Sequence, residues 1–208
     1  MCFSNEIEAS KNEFRQRAKN NLKKLSSQFD KDTRSMMATV NFADSKLYAD
    51  TKTIFTFISK KTEINTRFLI EKSFTDGKEI AIPRVNEKTL DFYYLSPEIP
   101  AEEQLEPASF GIQEPLTSLE KVDIQHLPID SVFILPGLAF SPDGTRLGYG
   151  KGFYDTFISH IYENVNPLYF PKALIGFCFA CQVFENLPQA EHDIPLTHII
   201  TEEKIIIC

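Results

Sequence analysis

The residues from 132 to 155 constrain the fold more than any other part of this sequence. The stretch begins with the apolar run Val132–Leu135, which predicts a β-strand. Pro136 ends this strand because proline has no N–H to donate to a neighbouring strand. A turn-rich loop follows, and the apolar residues after it recur at helical spacing over 157–161. The order therefore predicts a strand, a loop and a helix.

The loop between this strand and this helix is rich in glycine and carries two fixed cations. Four of the eight glycines of the chain lie between Gly144 and Gly152, and Arg146 and Lys151 stand among them. Glycine backbone that leads into a helix N-terminus is typical of an anion site, because N–H groups there point at the ligand. We interpret the segment as a phosphate-binding loop; the alternative is a tight structural turn with solvated charges.

The two common phosphate-binding patterns do not fit the loop. The pair Gly150-Lys151 is present, but the Walker pattern needs glycine where Thr145 stands and serine or threonine where Gly152 stands. The dinucleotide-binding pattern fails as well, since Phe153 occupies the place of its third glycine. If the loop binds phosphate, it does so by another arrangement.

Three segments closely resemble the signature of the 5-formyltetrahydrofolate cyclo-ligase family. They are Leu135–Phe140, Gly144–Gly148 and Gly150–Asp155. The signature usually reads PG(L/V)(A/G)F, a short turn, and then RLGxGxG(Y/F)YD. The resemblance covers nearly the whole chain but is dense only between Leu135 and Asp155. It implies a Rossmann-like sheet with helices on both faces. It also implies an enzyme that closes 5-formyltetrahydrofolate to 5,10-methenyltetrahydrofolate with ATP and Mg²⁺, through a phosphorylated formyl group.

The resemblance also implies which residues hold ATP. A first pair, Lys11 and Arg15, lies four residues apart and so shares one edge of a predicted helix. By spacing alone such a pair is usually a solvated helix face, but the family has a matching pair that binds ATP phosphates. The remaining ATP-binding positions are in the loop: Arg146, Leu147, Gly148, Gly150, Lys151, Gly152 and Tyr154. Arg146 and Lys151 are the expected catalytic residues.

The folate and metal positions are carried over in the same way. Ile58, Glu63 and Tyr154 are implied to contact the folate, although a lone acid such as Glu63 is more often a solvated loop residue, and an aromatic residue such as Tyr154 is as often core. Asp155 and Asp193 are implied to bind Mg²⁺, which prefers hard oxygen ligands. Many bacterial relatives carry an aspartate where this chain has Thr197, so the choice of Asp193 depends on the role of Thr197.

Hydrophobic periodicity predicts the elements around the loop. We expect a first helix over 6–29 and a second over 32–47, with Met37, Val40 and Leu47 inward. Strands are expected at Thr53–Ile58, at Glu79–Arg84 where Pro83 should end the strand, and at Leu90–Leu95; a helix is expected at 66–74. Strands that alternate with helices predict a three-layer α/β domain with a largely parallel sheet, and the length of 208 residues predicts a single domain, 1–208.

Composition limits the partners. The formal net charge of −7 argues against nucleic acid or an anionic membrane as the main partner. No secretory signal and no apolar run long enough to span a bilayer is found, which favours a cytoplasmic enzyme. We also expect a monomer. Cys178 and Cys181 have metal or redox spacing but follow a β run without further ligands, so we expect reduced, mostly buried thiols.

Two other functional classes stay open at this point. A non-catalytic nucleotide or anion sensor would keep the basic loop but could lose Glu63 and the metal carboxylates, all of which are present. A sugar-phosphate isomerase or an acyl-CoA-type enzyme would use the loop for phosphate, but it should need a base or nucleophile that we do not find.

Overall fold

Five α-helices and eleven β-strands make up the part of the chain described by this computed structural model, residues 2–25, 27–189 and 193–208. The helices are α1 (Cys2–Lys23), α2 (Gln28–Ala43), α3 (Lys46–Ala49), α4 (Arg67–Thr75) and α5 (Phe153–Asn164). The strands are β1 (Thr53–Phe55), β2 (Glu79–Asn86), β3 (Thr89–Leu95), β4 (Leu105–Pro107), β5 (Gln113–Pro115), β6 (Ser131–Leu135), β7 (Ala139–Phe140), β8 (Arg146–Leu147), β9 (Ala173–Phe177), β10 (His198–Ile200) and β11 (Ile205–Ile207).

Seven of these strands form one sheet in the order β11-β10-β9-β6-β1-β2-β3. The five central strands run parallel, whereas β11 and β3 pair antiparallel at the two edges. Parallel strands need crossover connections, and the helices between them supply these. The prediction of a largely parallel sheet is confirmed.

The alternation of β6 divides the core into two layers. Val132 and Ile134 face a cluster that includes residues of α1, α2 and α4, while Phe133 and Leu135 face a cluster that includes Phe157 and its neighbours on α5. Because successive side chains of a strand point to opposite faces, a strand that is apolar throughout must be covered on both sides. The three-layer α/β prediction, with helices on both faces, is therefore confirmed.

The bounds of the first two helices differ from the prediction. The first helix ends at Lys23, before residue 29, and Ser27 caps a new helix. The Ser27 Oγ accepts the Asp30 N–H at 3.0 Å. Phe29 consequently belongs to α2 and is 81% exposed instead of continuing the apolar stripe of α1. The second helix begins at Gln28 and not at Asp32, and Leu47 lies in the separate short helix α3.

The buried face of α2 is also not the predicted one. Met37 and Val40 are 50% and 54% exposed, and the buried residues are Ser35, Ala38, Thr39 and Phe42. The Ser35 and Thr39 hydroxyls donate to the carbonyls four residues earlier, at 2.7 and 2.9 Å, which removes the cost of burying them. Hydrophobicity alone misses a helix face whose polar groups are satisfied by its own backbone.

Two strands end elsewhere than predicted. β1 stops at Phe55, three residues early, and β2 continues through Pro83 to Asn86. β1 pairs with β2 only as far as Ala81, so the missing N–H of Pro83 interrupts no hydrogen bond to β1, while pairing with β3 goes on. Beyond Ala81, β2 no longer pairs with β1, and Pro83 and Val85 line the cavity described below.

The glycine-rich loop extends from a small hairpin. β7 and β8 pair antiparallel, and the segment after β8 leads into α5. Gln182 supports the segment before β7, since its amide donates to the carbonyl oxygens of Gly137 at 2.9 Å and Leu138 at 3.2 Å. Cys178 is buried and Cys181 is half-buried, and both are free thiols, in agreement with the prediction of reduced, mostly buried thiols. None of the described helices is long and apolar enough to cross a membrane.

Candidate functional site

A cavity of about 220 Å³ opens at the carboxyl edge of β1, β2 and β6. Its apolar wall includes Phe57 and Ile58, which follow β1, and Leu90 of β3. Its polar wall includes Glu63 and the start of α5. Ligands of open α/β sheets bind at this edge because the loops that follow the strands converge there. The cavity is the candidate site.

Glu63 supplies a buried carboxylate to the cavity. Its residue exposure is 9%, and Oε2 accepts the backbone N–H of Lys60 at 2.8 Å. The loop closes on itself, since the N–H of Glu63 donates to the carbonyl oxygen of Lys60 at 2.9 Å. This turn fixes the acid just beyond the end of β1. A buried carboxylate with accepting capacity left over suits a ligand that presents N–H donors.

Two tyrosines of the signature segment flank Glu63. Burial, the negative charge of Glu63 and a hydrogen bond with that carboxylate raise the pKa of Tyr149. Burial and the charge of Glu63 also raise the pKa of Tyr154, and Arg146 opposes this shift. In both cases the charged phenolate is disfavoured by lost hydration and by a like charge nearby. Both hydroxyls therefore stay protonated and can donate hydrogen bonds at neutral pH.

The loop itself adopts a backbone that requires glycine. Gly150 and Gly152 have φ of +90° and +73°, and Gly152 is the N-cap of α5. Arg146 lies beneath the loop with only 6% of its side chain exposed; Nη1 donates to the carbonyl oxygen of Pro136 at 2.9 Å, and Nη2 pairs with Asp155 Oδ1. One short segment thus brings a helix N-terminus, a guanidinium and a carboxylate to the cavity wall.

Helix α1 contributes a second group of charges beside the loop. Arg15 Nε donates to the carbonyl oxygen of Gly148 at 3.0 Å, and its Nη1 pairs with Glu8 at 2.7 Å. One turn earlier, Lys11 Nζ lies 2.7 Å from Asp193 Oδ2, with 11% and 21% of the two side chains exposed. The pair joins residues 182 positions apart in the sequence. Lys11 and Arg15 do share one edge of the helix, and that edge faces the protein.

The structure brings most of the predicted site residues to one cavity. The cavity wall contains Ile58, Glu63, Arg146, Gly148, Lys151, Gly152, Tyr154 and Asp155. Lys11, Arg15 and Asp193 lie outside this wall, on the α1 side of the loop, and a Cβ added at Gly150 would be 3.9 Å from Arg15 Cζ. Leu147 is 1% exposed and packs in the core, so only its backbone is available to a ligand. The ligand roles of all these residues stay predictions.

Three residues of the site were missed from the sequence. Tyr149 occupies a variable position of the family signature, and Lys60, whose Nζ is 4.9 Å from the centroid of the Tyr149 ring, had no motif around it. Glu114 lines the cavity with 8% of its side chain exposed and accepts the Val85 N–H at 3.2 Å. Glu114 is the one of the three that the sequence could have indicated, because residues 110–115, Phe-Gly-Ile-Gln-Glu-Pro, resemble a family segment that borders the active site.

The carboxylates predicted to bind Mg²⁺ are both engaged by cations of the site. Asp155 pairs with Arg146 and Asp193 with Lys11, and no group of three or more His, Cys, Asp or Glu side chains within the described ranges could hold a metal ion. Two carboxylates nevertheless fit Mg²⁺, which keeps several waters and takes its other ligands from substrate phosphates. His192, adjacent to Asp193, lies outside the described residues.

Thr197 has a structural role at the amino ends of the parallel strands, opposite to the cavity. Its Oγ1 donates to the carbonyl oxygen of Leu174 at 3.0 Å and accepts the Leu174 N–H at 3.1 Å. Leu174 is the second residue of β9, so these contacts tie the residue just before β10 to the amino end of β9. The cavity lies at the carboxyl end of the parallel strands. The Thr197 side chain therefore stabilises the sheet.

The fold and the cavity define a class: a three-layer α/β protein whose parallel sheet carries, at its carboxyl edge, a cavity bordered by a basic, glycine-rich loop. Residues 7–202 match the model of the 5-formyltetrahydrofolate cyclo-ligase family. The chain belongs to this family. The prediction of an enzyme of this family is thereby confirmed.

Individual relatives agree with this assignment. The chain is 31% identical over 206 residues to a probable 5-formyltetrahydrofolate cyclo-ligase of Caenorhabditis elegans, with 97% of each chain covered. It is 29% identical over 202 residues to the 5-formyltetrahydrofolate cyclo-ligase of Mus musculus, covering 95% of this chain and 96% of that protein. The NMR structure of 5,10-methenyltetrahydrofolate synthetase from Aquifex aeolicus superposes with a TM-score of 0.74 at 28% identity, over 95% of this chain and 92% of that one.

Proposed function

We propose that this protein uses ATP and Mg²⁺ to convert 5-formyltetrahydrofolate to 5,10-methenyltetrahydrofolate, with release of ADP and phosphate. One observation carries the proposal. A single cavity joins an apolar wall, with the buried carboxylate of Glu63 beside it, to the basic, glycine-rich start of α5. The first wall suits a flat ring with N–H donors, and the second suits phosphate. A reaction between a folate and ATP needs both within one enclosure.

The folate end of the cavity fits the reduced pterin ring. Its amino group and ring N–H are hydrogen-bond donors, and the Glu63 carboxylate is an acceptor held in place by the Lys60 N–H. Ile58 and Tyr154 supply apolar and aromatic surface for the faces of the ring. A buried charge-assisted hydrogen bond of this kind contributes about 1.5–3 kcal/mol to binding. Glu63 therefore fixes the orientation of the ring in the cavity.

The phosphate end of the cavity neutralises negative charge. Arg146 and Lys151 line the cavity at the start of α5, and Lys11 and Arg15 stand on the other side of the loop. Phosphoryl transfer needs little covalent help from side chains and depends on positioning and on charge stabilisation. Arg146 and Lys151 are the groups on the cavity wall that would stabilise the charge that grows on the transferred phosphoryl group.

The reaction then proceeds in two displacements. The formyl oxygen attacks the γ-phosphorus of ATP, and ADP leaves. The neighbouring amine nitrogen of the folate attacks the activated formyl carbon, the C–O bond breaks, phosphate departs with the oxygen and the amine proton is lost. Without phosphorylation the oxygen would be a poor leaving group, which explains the need for ATP.

Mg²⁺ bound to the phosphates would offset their charge and hold them for in-line transfer. Asp155 and Asp193 are the carboxylates of this chain that would hold it. Their present partners, Arg146 and Lys11, are also residues assigned to phosphate. Binding of Mg-ATP would exchange each ion pair between carboxylate and cation for a cation–phosphate contact and a carboxylate–metal contact. The site keeps its charges balanced before the substrate arrives.

The test is an absorbance assay, because the methenyl product absorbs in the near ultraviolet. Purified protein with 5-formyltetrahydrofolate and Mg-ATP should give a rise in absorbance, with one ADP and one phosphate formed for each methenyl product. A heavy-oxygen label in the formyl group should appear in the released phosphate. Turnover without ATP, no turnover, or a label that stays out of the phosphate would contradict the corresponding part of the proposal.

A further inference from the structure

A second cavity, of about 430 Å³, lies between α1 and α2 on the far side of Tyr149. Three lysines line it, Lys19 and Lys23 from α1 and Lys31 from α2, and its apolar surface includes Leu22 and Leu25. Lys19 and Lys23 are four residues apart, so both lie on one face of α1. We call this cavity the lysine groove. Its three lysines lie outside the family signature.

The charge of the lysine groove is not balanced by the protein. No aspartate or glutamate lines the groove, and none of its three lysines forms an ion pair with a carboxylate within residues 2–25, 27–189 and 193–208. Lys31 Nζ makes only a long contact, 3.4 Å, with the carbonyl oxygen of Lys61. In a chain with a net charge of −7, three such cations over an apolar surface indicate a site for an organic anion.

Tyr149 connects the lysine groove to the candidate active site. Its side chain lines both cavities, and the Nζ of Lys60, which lines the active-site cavity, lies 4.9 Å from the ring centroid. Cationic side chains therefore follow the surface from Lys60 across the aromatic ring to the groove. A ligand that enters the active-site cavity can extend over Tyr149 and place a negative charge among the lysines.

A further cavity beside the active site does not favour a negatively charged group. It shares Ile58 and Gln113 with the active-site cavity, but its charged lining is Arg67 opposed by three glutamates, Glu71, Glu98 and Glu102. Arg67 is already paired with two of them, Glu71 at 2.6 Å and Glu102 at 3.4 Å. A negatively charged group would be repelled there, so the lysine groove is the place that favours an anion.

We infer that the lysine groove binds the carboxylates of the glutamyl group of the folate substrate. This inference rests on the proposed function, since that function supplies the ligand. A folate consists of a fused ring, an aminobenzoyl group and a glutamate with two free carboxylates. With the ring at Glu63, the aminobenzoyl group lies over Tyr149 and the leucines, and the carboxylates reach Lys19, Lys23 and Lys31. The groove then sets affinity for the substrate without touching the reacting atoms.

The experiment compares two substrates that differ only in the glutamyl group, 5-formyltetrahydrofolate and 5-formyltetrahydropteroate. In the double variant Lys19→Gln, Lys23→Gln, we expect the KM for the glutamyl substrate to rise by about five- to tenfold, because two charge-assisted contacts are lost. The KM for the pteroate, the KM for ATP and kcat should stay unchanged. Lys204→Gln is the matched control, since Lys204 is an exposed lysine in the turn before β11.

The outcomes separate this inference from the proposed function. An equal rise in KM for both substrates, or no rise, would overturn the inference that the lysine groove binds the carboxylates. A rise in the KM for ATP alone would overturn it in favour of a nucleotide site. If the unmodified protein turns over neither substrate, the proposed function fails. Direct titration of the unmodified protein and the double variant with 5-formyltetrahydrofolate then tests whether the lysine groove binds the carboxylates. Equal affinities of the two proteins would overturn the inference.

Discussion

The glycine-rich loop and the α1 side of the site carry comparable charges, but they are assembled differently. In the loop, Arg146 and Asp155 are nine residues apart and meet through one hairpin and one helix start. On the α1 side, Lys11 and Asp193 are 182 residues apart, and only the tertiary structure brings them together. Both pairs place a cation against a carboxylate beside the same loop.

The geometry of the loop is set by nearby residues of the sequence, whereas the arrangement of charges on the α1 side depends on the tertiary fold. The loop geometry follows from glycines that adopt positive φ and from the start of α5, so it is fixed by consecutive residues. The α1 side depends on how α1 packs against β7 and against the segment after β9. We therefore expect the loop to carry the larger share of the transition-state stabilisation, and the α1 side to tune the binding of Mg-ATP.

The strongest test of this comparison is the change of Lys151 to Ala. We expect kcat to fall at least about a hundredfold, because a fixed cation near the transferred phosphoryl group contributes several kcal/mol in the transition state. The thermal unfolding midpoint should stay close to that of the unmodified protein. Lys204→Ala is the control for the loss of an exposed lysine. Near-normal turnover of the Lys151 variant would show that Lys151 is a solvated loop charge. It would also contradict the expectation that the loop contributes more transition-state stabilisation than the α1 side.

The second test compares Asp155→Asn with Asp193→Asn. Asparagine keeps the shape but loses the charge that a hard divalent cation prefers. Each change should raise the Mg²⁺ concentration at half-maximal rate by about tenfold, with saturating ATP and folate, and leave the KM for folate nearly unchanged. Asp44→Asn, at the exposed end of α2, is the matched control.

The two aspartate variants can also show which side of the site binds Mg²⁺. If Asp155 only favours its helix N-terminus, Asp155→Asn costs about 0.3–1 kcal/mol of stability and leaves the Mg²⁺ dependence as it was. An unchanged Mg²⁺ midpoint in Asp193→Asn, with a shifted one in Asp155→Asn, would show that the loop side holds the metal alone.

The smallest expected effect belongs to Tyr149→Phe. The change keeps the ring beneath Lys60 but removes the hydroxyl that bonds Glu63. Loss of this contact should raise the KM for folate by about threefold to fivefold, the range of one hydrogen bond, with kcat and the KM for ATP unchanged. Tyr162→Phe is a matched control, because Tyr149 and Tyr162 are equally exposed, at 38%. If the KM for folate is the same in both variants, Tyr149 does not position Glu63.

Much of the loop side could be predicted because its information is local. The apolar run Val132–Leu135, the proline after it and the glycines up to Gly152 specify a strand, a turn and a helix start within about twenty residues, each by its own backbone preference. The apolar stripe of α5 was predicted for the same reason, and Phe157, Ile158 and Ile161 are buried. Such features do not depend on where the remainder of the chain lies.

The sequence by itself also determined the class of fold, through strands that alternate with helices, and it placed Lys11 and Arg15 on one edge of α1. Only the tertiary structure decided which face of α2 is buried, that β2 continues past Pro83, and that Lys11 meets Asp193. It also brought Tyr149 against Glu63 and left three lysines around one groove. Periodicity and turn chemistry act between near neighbours in the chain, whereas these contacts depend on the packing of helices and loops against a completed sheet.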